Sequence, residues 1–162
     1  MGLIWIIKKN YEELSRAAAD LVLARLKKTP NLVLGLPTGA TPIGLYAGLV
    51  EEYKKGTADF SGVTTFNLDE YCELAPEHPE SYRAFMEKHF FGSVNIPLGQ
   101  AHFPLCDDNS GEAYEEMIAV LGGIDLQILG IGRNGHIGFN EPGSDFNSRT
   151  RVVRLSETTI KD

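Results

Sequence analysis

Three short apolar runs, each ending abruptly in a polar turn, constrain this chain more than any other feature. NLVLGLP (31–37), VTTFNL (63–68) and IDLQIL (124–129) are nearly continuous in apolar or β-branched residues, and the stretches between them carry apolar residues at helical spacing. A strand that is apolar on both sides must be covered on both faces, and strands alternating with helices give a parallel sheet between helical layers. The pattern predicts an α/β fold: a doubly wound, mostly parallel sheet with helices on both faces, built as one domain over residues 1–162. MGLIWIIKK (1–9) reads as a first strand and RVVRL (151–155) as a fifth. Residues 10–28 read as a helix with Asn10 as N-cap and Leu14, Ala17, Ala18, Leu21, Val22 and Leu26 inward. Thr41 and Pro42 open a helix with Leu45, Leu49 and Val50 inward, and further helices are expected over 81–91 and 111–121.

Charge and cysteine usage narrow the function classes. The net charge is −7 and the basic residues are scattered, so no broad nucleic-acid surface is expected and an anionic ligand must be held locally. The N-terminal apolar run is too short to cross a membrane and is followed by lysines, which argues against a targeting segment. Cys72 and Cys106 form no C-x-x-C and no evident disulfide framework, so a reducing, cytoplasmic compartment is the expectation.

In a doubly wound sheet, ligands gather beyond the carboxyl ends of the strands. That rule marks three addresses: GLPTGATP (35–42), FNLDEY (66–71) and GIGRNGHIGFNEP (130–142). The third begins with G-x-G-x-x-G, yet Gly138, Pro142 and Gly143 leave no room for the helix on which a dinucleotide pyrophosphate would rest. The first runs from strand into helix, and its amides with the hydroxyls of Thr38 and Thr41 suit a sugar phosphate, an N-cap being the plainer alternative. In the second, neighbouring carboxylates of an extended segment point to opposite sides, so only one of Asp69 and Glu70 faces a given ligand. A carboxylate there could move a proton between adjacent carbons. Asp69, Glu70, Cys72, His78, His102 and His136 are all metal-ligand types, but no H-x-x-x-H, C-x-x-C or D-x-D spacing supports a metal site, and none is expected.

GLPTGATP, FNLDEY, HPESY (78–82) and above all GIGRNGHIGFNEP followed by SRTR (148–151) resemble the glucosamine-6-phosphate deaminase (isomerase) family, in order along nearly the whole chain. The resemblance implies a Rossmann-like fold of the deaminase and 6-phosphogluconolactonase type. It also implies conversion of D-glucosamine 6-phosphate and water to D-fructose 6-phosphate and ammonium, in amino-sugar catabolism, without metal or organic cofactor. His136 matches the ring-opening histidine, Glu141 the acid that orients and tunes it, and Asn134 a position where some members carry an aspartate. Asp69 matches the base that shuttles a proton between C2 and C1; Thr38, Gly39, Ala40 and Thr41 match the phosphate loop, with Ala40 replacing a commoner glycine. Asn can orient an imidazole but not stabilise its cation by charge, which leaves that task to Glu141. Val153 stands where allosteric members carry a lysine, and Asp145 where a serine would favour an anion, so effector control is not expected.

Family members continue beyond the point matching Asp162 and supply further phosphate ligands, so the domain is expected to be incomplete at its C-terminus. Two other classes stay open. A 6-phosphogluconolactonase-like hydrolase would usually read D-E-R in its second motif and lack F-N-E-P in its third; a sugar-phosphate sensor would need the phosphate loop but not Asp69, His136 and Glu141. Neither membrane nor nucleic-acid partners are expected, and the choice between monomer and homo-oligomer is open.

Overall fold

The computed structural model describes residues 2–107 and 109–161. Helix α1 (Tyr11–Lys28) leads into strand β1 (Val33–Leu36), followed by α2 (Ile43–Lys54), β2 (Thr64–Asn67) and α3 (Tyr82–His89). After two short 3-10 turns come β3 (Ala101–His102), α4 (Ser110–Val120), β4 (Leu126–Gln127) and α5 (Glu157–Lys161). The four strands are parallel in the order β3-β2-β1-β4. The chain builds from β1 through β2 to β3, then crosses back to place β4 on the other side of β1. The switch point therefore lies between β1 and β4.

Alternation along β1 decides what each face of the sheet buries. Leu34 and Leu36 join Ala19, Val22 and Leu26 of α1, Leu45, Tyr46 and Leu49 of α2 and Met86 of α3 in the main core, which also takes in Phe60 and Phe90. Val33 and Phe66 look the other way, onto Tyr114 of α4. Helices thus cover both faces, as the apolar strands require. Asn10 caps α1, its side-chain oxygen accepting the Glu13 amide at 2.8 Å. The buried stripe of α1 is Ser15, Ala19, Val22 and Leu26, whereas Leu14 and Leu21 are exposed. The small residues Gly44 and Gly48 of α2 lie against Ser15 and Ala19, so the close approach of two helices, not apolar size, sets the stripe.

Three expectations are corrected. Residues 2–9 form no strand: no described strand pairs with them and Leu3, Ile4, Trp5, Ile6 and Ile7 are all exposed, since apolar composition makes no strand without a partner. Residues 151–155 are likewise irregular, their segment held by side chains instead, as where Arg151 donates to Asn140 Oδ1 at 3.2 Å. Cys72 and Cys106 do pair, in a disulfide with Cα atoms 5.3 Å apart, 34 positions from one another in sequence. The fold brings together what spacing left apart, and the ground for expecting a reducing compartment falls away. Among the described residues no helix is long and apolar enough to cross a membrane.

Candidate active site

The turns after β1, β2 and β4 meet in an open cleft of about 630 Å³ at the carboxyl ends of the strands. Thr38, Gly39, Ala40 and Thr41 line it from the first turn, Leu68 and Asp69 from the second, and Gly132, His136, Gly138 and Phe139 from the third. Two glycines allow the third turn to close in. A Cβ on Gly132 would run into the His136 ring, so only glycine lets the imidazole fold back there. Gly138 has φ +57°, and a Cβ on it would come within 2.6 Å of Leu68 and 3.2 Å of Asp69 Oδ2. The His136 turn therefore lies directly against the Asp69 turn.

The turn after β1 is held from outside. The Tyr11 hydroxyl on α1 donates to Thr41 O at 2.9 Å and accepts the Gly44 amide at 2.9 Å. Pro42 stands at the N-cap of α2 without a side-chain capping bond, and Pro42 and Leu45 line the cleft, so that helix starts at the cleft with its Gly44 amide already taken by Tyr11.

Asp69 and Glu70 part company as an extended segment requires. Asp69 faces the cleft, where burial, reinforced by the neighbouring Glu70 charge, pushes its carboxyl up to about 7. Glu70 turns to the start of α3 and accepts the amides of Tyr82 at 2.8 Å and Arg83 at 2.9 Å.

His136 is oriented through a chain of hydrogen bonds. Glu141 can only accept, so the Asn134 amide nitrogen must face it, donating to Glu141 Oε2 at 2.8 Å. Asn134 Oδ1 is thereby turned to His136 and accepts both its backbone amide at 3.1 Å and its Nδ1–H at 2.7 Å. With the proton on Nδ1, Nε2 keeps its lone pair for a ligand. Glu141 itself makes no direct bond to the imidazole among these contacts; it acts through Asn134 and through Thr159, whose hydroxyl donates to Glu141 Oε1 at 2.6 Å and lies 3.3 Å from His136 Nδ1. That hydroxyl first, then the Ser156 amide and Asn134, hold the Glu141 carboxyl down to about 2. Asn134 and Glu141 thus stand behind His136 and do not line the cleft.

Sequence reasoning missed Ser156, Thr159, Tyr71, Tyr82 and Phe139. Ser156 accepts the Thr159 amide at 3.3 Å, and the S-x-x-T spacing is a capping signal that marks a helix start but not its partner Glu141. Tyr71, Tyr82 and Phe139 form one aromatic wall of the cleft with ring centroids 4.7–5.6 Å apart. No local pattern joins these three, since they come from two different turns and a helix. Among the described residues no three of His, Cys, Asp and Glu converge as metal ligands.

An α/β fold with a hydroxyl-bearing turn, a raised carboxylate and an oriented imidazole in one cleft has the form of an enzyme's small-molecule site. The chain belongs to the family of glucosamine-6-phosphate isomerases and 6-phosphogluconolactonases, whose model matches residues 9–157. It is 52% identical over 160 residues to glucosamine-6-phosphate deaminase 2 of Bacillus subtilis (strain 168), covering 96% of this chain and 64% of that one. Against the glucosamine-6-phosphate deaminase of Thermoanaerobacter sp. (strain X514), identity is 54% over 159 residues, covering 96% and 63%. The chain therefore spans a little under two thirds of the length of these relatives. The solved structure of a monomeric glucosamine-6-phosphate deaminase superposes with a TM-score of 0.92 at 43% identity, over 95% of this chain and 66% of that one. A 6-phosphogluconolactonase from Thermotoga maritima shares the fold, with a TM-score of 0.68 at 21% identity over 85% and 64%.

Proposed function

We propose that this chain carries the reacting groups of a glucosamine-6-phosphate deaminase, the enzyme that turns D-glucosamine 6-phosphate and water into D-fructose 6-phosphate and ammonium. The observation that carries the reading is the convergence of Asp69, His136 and the Thr38–Thr41 turn on one cleft. The substrate phosphate sits on the Thr38, Gly39, Ala40 and Thr41 amides and hydroxyls at the start of α2. His136 Nε2 takes the proton of the anomeric hydroxyl and returns it to the ring oxygen, opening the pyranose. Asp69, as carboxylate, removes the C2 proton and delivers it to C1; water then adds at C2 and ammonia leaves. A base at about 7 is better matched to a carbon acid than an ordinary carboxylate, and it still ionises at neutral pH. The deaminase relatives above half identity support this substrate over a lactone.

Incubation with glucosamine 6-phosphate, followed by assay of ammonium and fructose 6-phosphate in equal amounts, tests the proposal. Hydrolysis of 6-phosphogluconolactone without ammonium release would replace it with the hydrolase reading. Binding of the sugar phosphate without turnover would favour a sensor.

A further inference from the structure

Glu70 is a carboxylate next to the reacting groups for which the reaction itself has no use, yet it accepts three backbone amides. Its Oε1 accepts the amides of Tyr71 at 2.9 Å and Tyr82 at 2.8 Å, and its Oε2 accepts that of Arg83 at 2.9 Å. The next two amides of α3, those of Ala84 and Phe85, go to the Ser81 side chain and Ser81 carbonyl, each at 3.0 Å. All four leading donors of α3 are thus satisfied, two of them by a residue twelve positions upstream. An anion is the favoured occupant at that end of a helix.

We propose that Glu70 is a positioning residue for Asp69: by anchoring the turn after β2 to the N-terminus of α3, it fixes the adjacent carboxylate in the cleft. Asp69 and Glu70 are neighbours in one turn, so a Glu70 fastened to α3 limits the backbone movement open to Asp69. The anchor also carries charge. Asp69 is faced by Glu70 from its own turn, by Tyr82 of α3 and Tyr114 of α4, and it shares the cleft with His136 and Arg133 from the turn after β4. Burial drives both phenols above their ordinary range, so they are neutral at working pH, and Glu70 is the negative charge that opposes ionisation of Asp69. The inference deepens the proposed reaction and rests on it for Asp69's task.

The test is a carboxyl-carbon NMR titration of Asp69 in protein labelled at aspartate, comparing Glu70→Gln with the parent and with Asp59→Asn, a carboxylate far from the cleft. The Glu70→Gln protein keeps an acceptor for the α3 amides but loses the charge, and the Asp69 midpoint is expected to fall by about half a pH unit or more. Asp59→Asn should leave the midpoint where it is. An unmoved midpoint in Glu70→Gln, or an equal movement in both variants, overturns the proposal. If Glu70→Gln does not fold, Glu70→Asp takes its place: the shorter side chain should speed hydrogen exchange at the Tyr82 and Arg83 amides, and unchanged exchange would overturn the anchor. With glucosamine 6-phosphate, Glu70→Gln and Glu70→Asp should lower kcat with little change in KM, and Asp59→Asn should change neither. A parent that releases no ammonium would refute the deaminase reading while the Asp69 titration still decides the role of Glu70.

Discussion

Burial of Asp69 has two consequences of opposite sign. As the proposed base it works only when ionised, so kcat/KM for glucosamine 6-phosphate should climb with pH through a limb at about 7. Its folded value lies above the ordinary 3.8, so between the two the folded chain holds a proton that the unfolded chain has released. Stability from this group is therefore complete below about 4 and is lost as pH rises toward about 7. Asp69→Asn removes both effects: turnover should drop by at least about a thousandfold with binding largely kept, while the melting temperature at pH 8 should rise. The gain is bounded by about 4 kcal/mol and should vanish at about pH 4, which melts at the two pH values would show. Glu141 behaves otherwise, since at about 2 it is ionised wherever the enzyme works. Glu141→Gln should lower kcat/KM by about tenfold to a hundredfold by freeing the Asn134 amide to turn, yet leave the limb at about 7 in place. A limb displaced by more than about one unit would mean that Glu141 acts by charge instead.

Among the elements, the Asp69 turn is secured from both sides, by Glu70 on α3 and by the Cys72–Cys106 disulfide to the segment between β3 and α4. Closing a loop of this length restricts the unfolded chain by about 3–4 kcal/mol in the loop-entropy account. Cys106→Ser should accordingly lower the melting temperature, and added reductant should lower that of the parent but not of the variant. No effect of reductant on the parent would mean that the thiols are not joined in solution. Element prediction from sequence worked where the signal is local. Asn10 and the apolar spacings that mark the helices over 10–28, 81–91 and 111–121 lie within or beside the elements they specify. It failed for residues 2–9 and 151–155, which have strand composition, and for β3, a two-residue strand with none. A strand exists only where a neighbour offers a free edge, and the edge on β2 goes to Ala101 and His102 by position rather than by propensity.

Across the whole molecule, the order β3-β2-β1-β4 brings the first, second and third turns to one end of the sheet, with the cleft at the β1/β4 switch. Control by an effector is the property left to argue at this scale. Val153 offers no charge, and the Asp145 carboxylate, which accepts the Asn147 amide at 2.9 Å, would repel a phosphate nearby. Substrate saturation should be hyperbolic and unaffected by N-acetylglucosamine 6-phosphate; a sigmoidal curve straightened by that compound would contradict this.

Sequence alone determined the layered α/β plan, the three polar turns and the residue types in them, because apolar periodicity and glycine-rich turns are written within a few residues of where they act. It also separated Asp69 from Glu70, since alternation in an extended segment is a backbone property. Only the tertiary structure decided that Glu141 reaches His136 through Asn134 and Thr159, that Glu70 belongs to α3, and that Cys72 meets Cys106. These pairings join segments up to 34 residues apart, and which distant groups meet depends on how helices and strands pack, a sum over the whole core that no local pattern records.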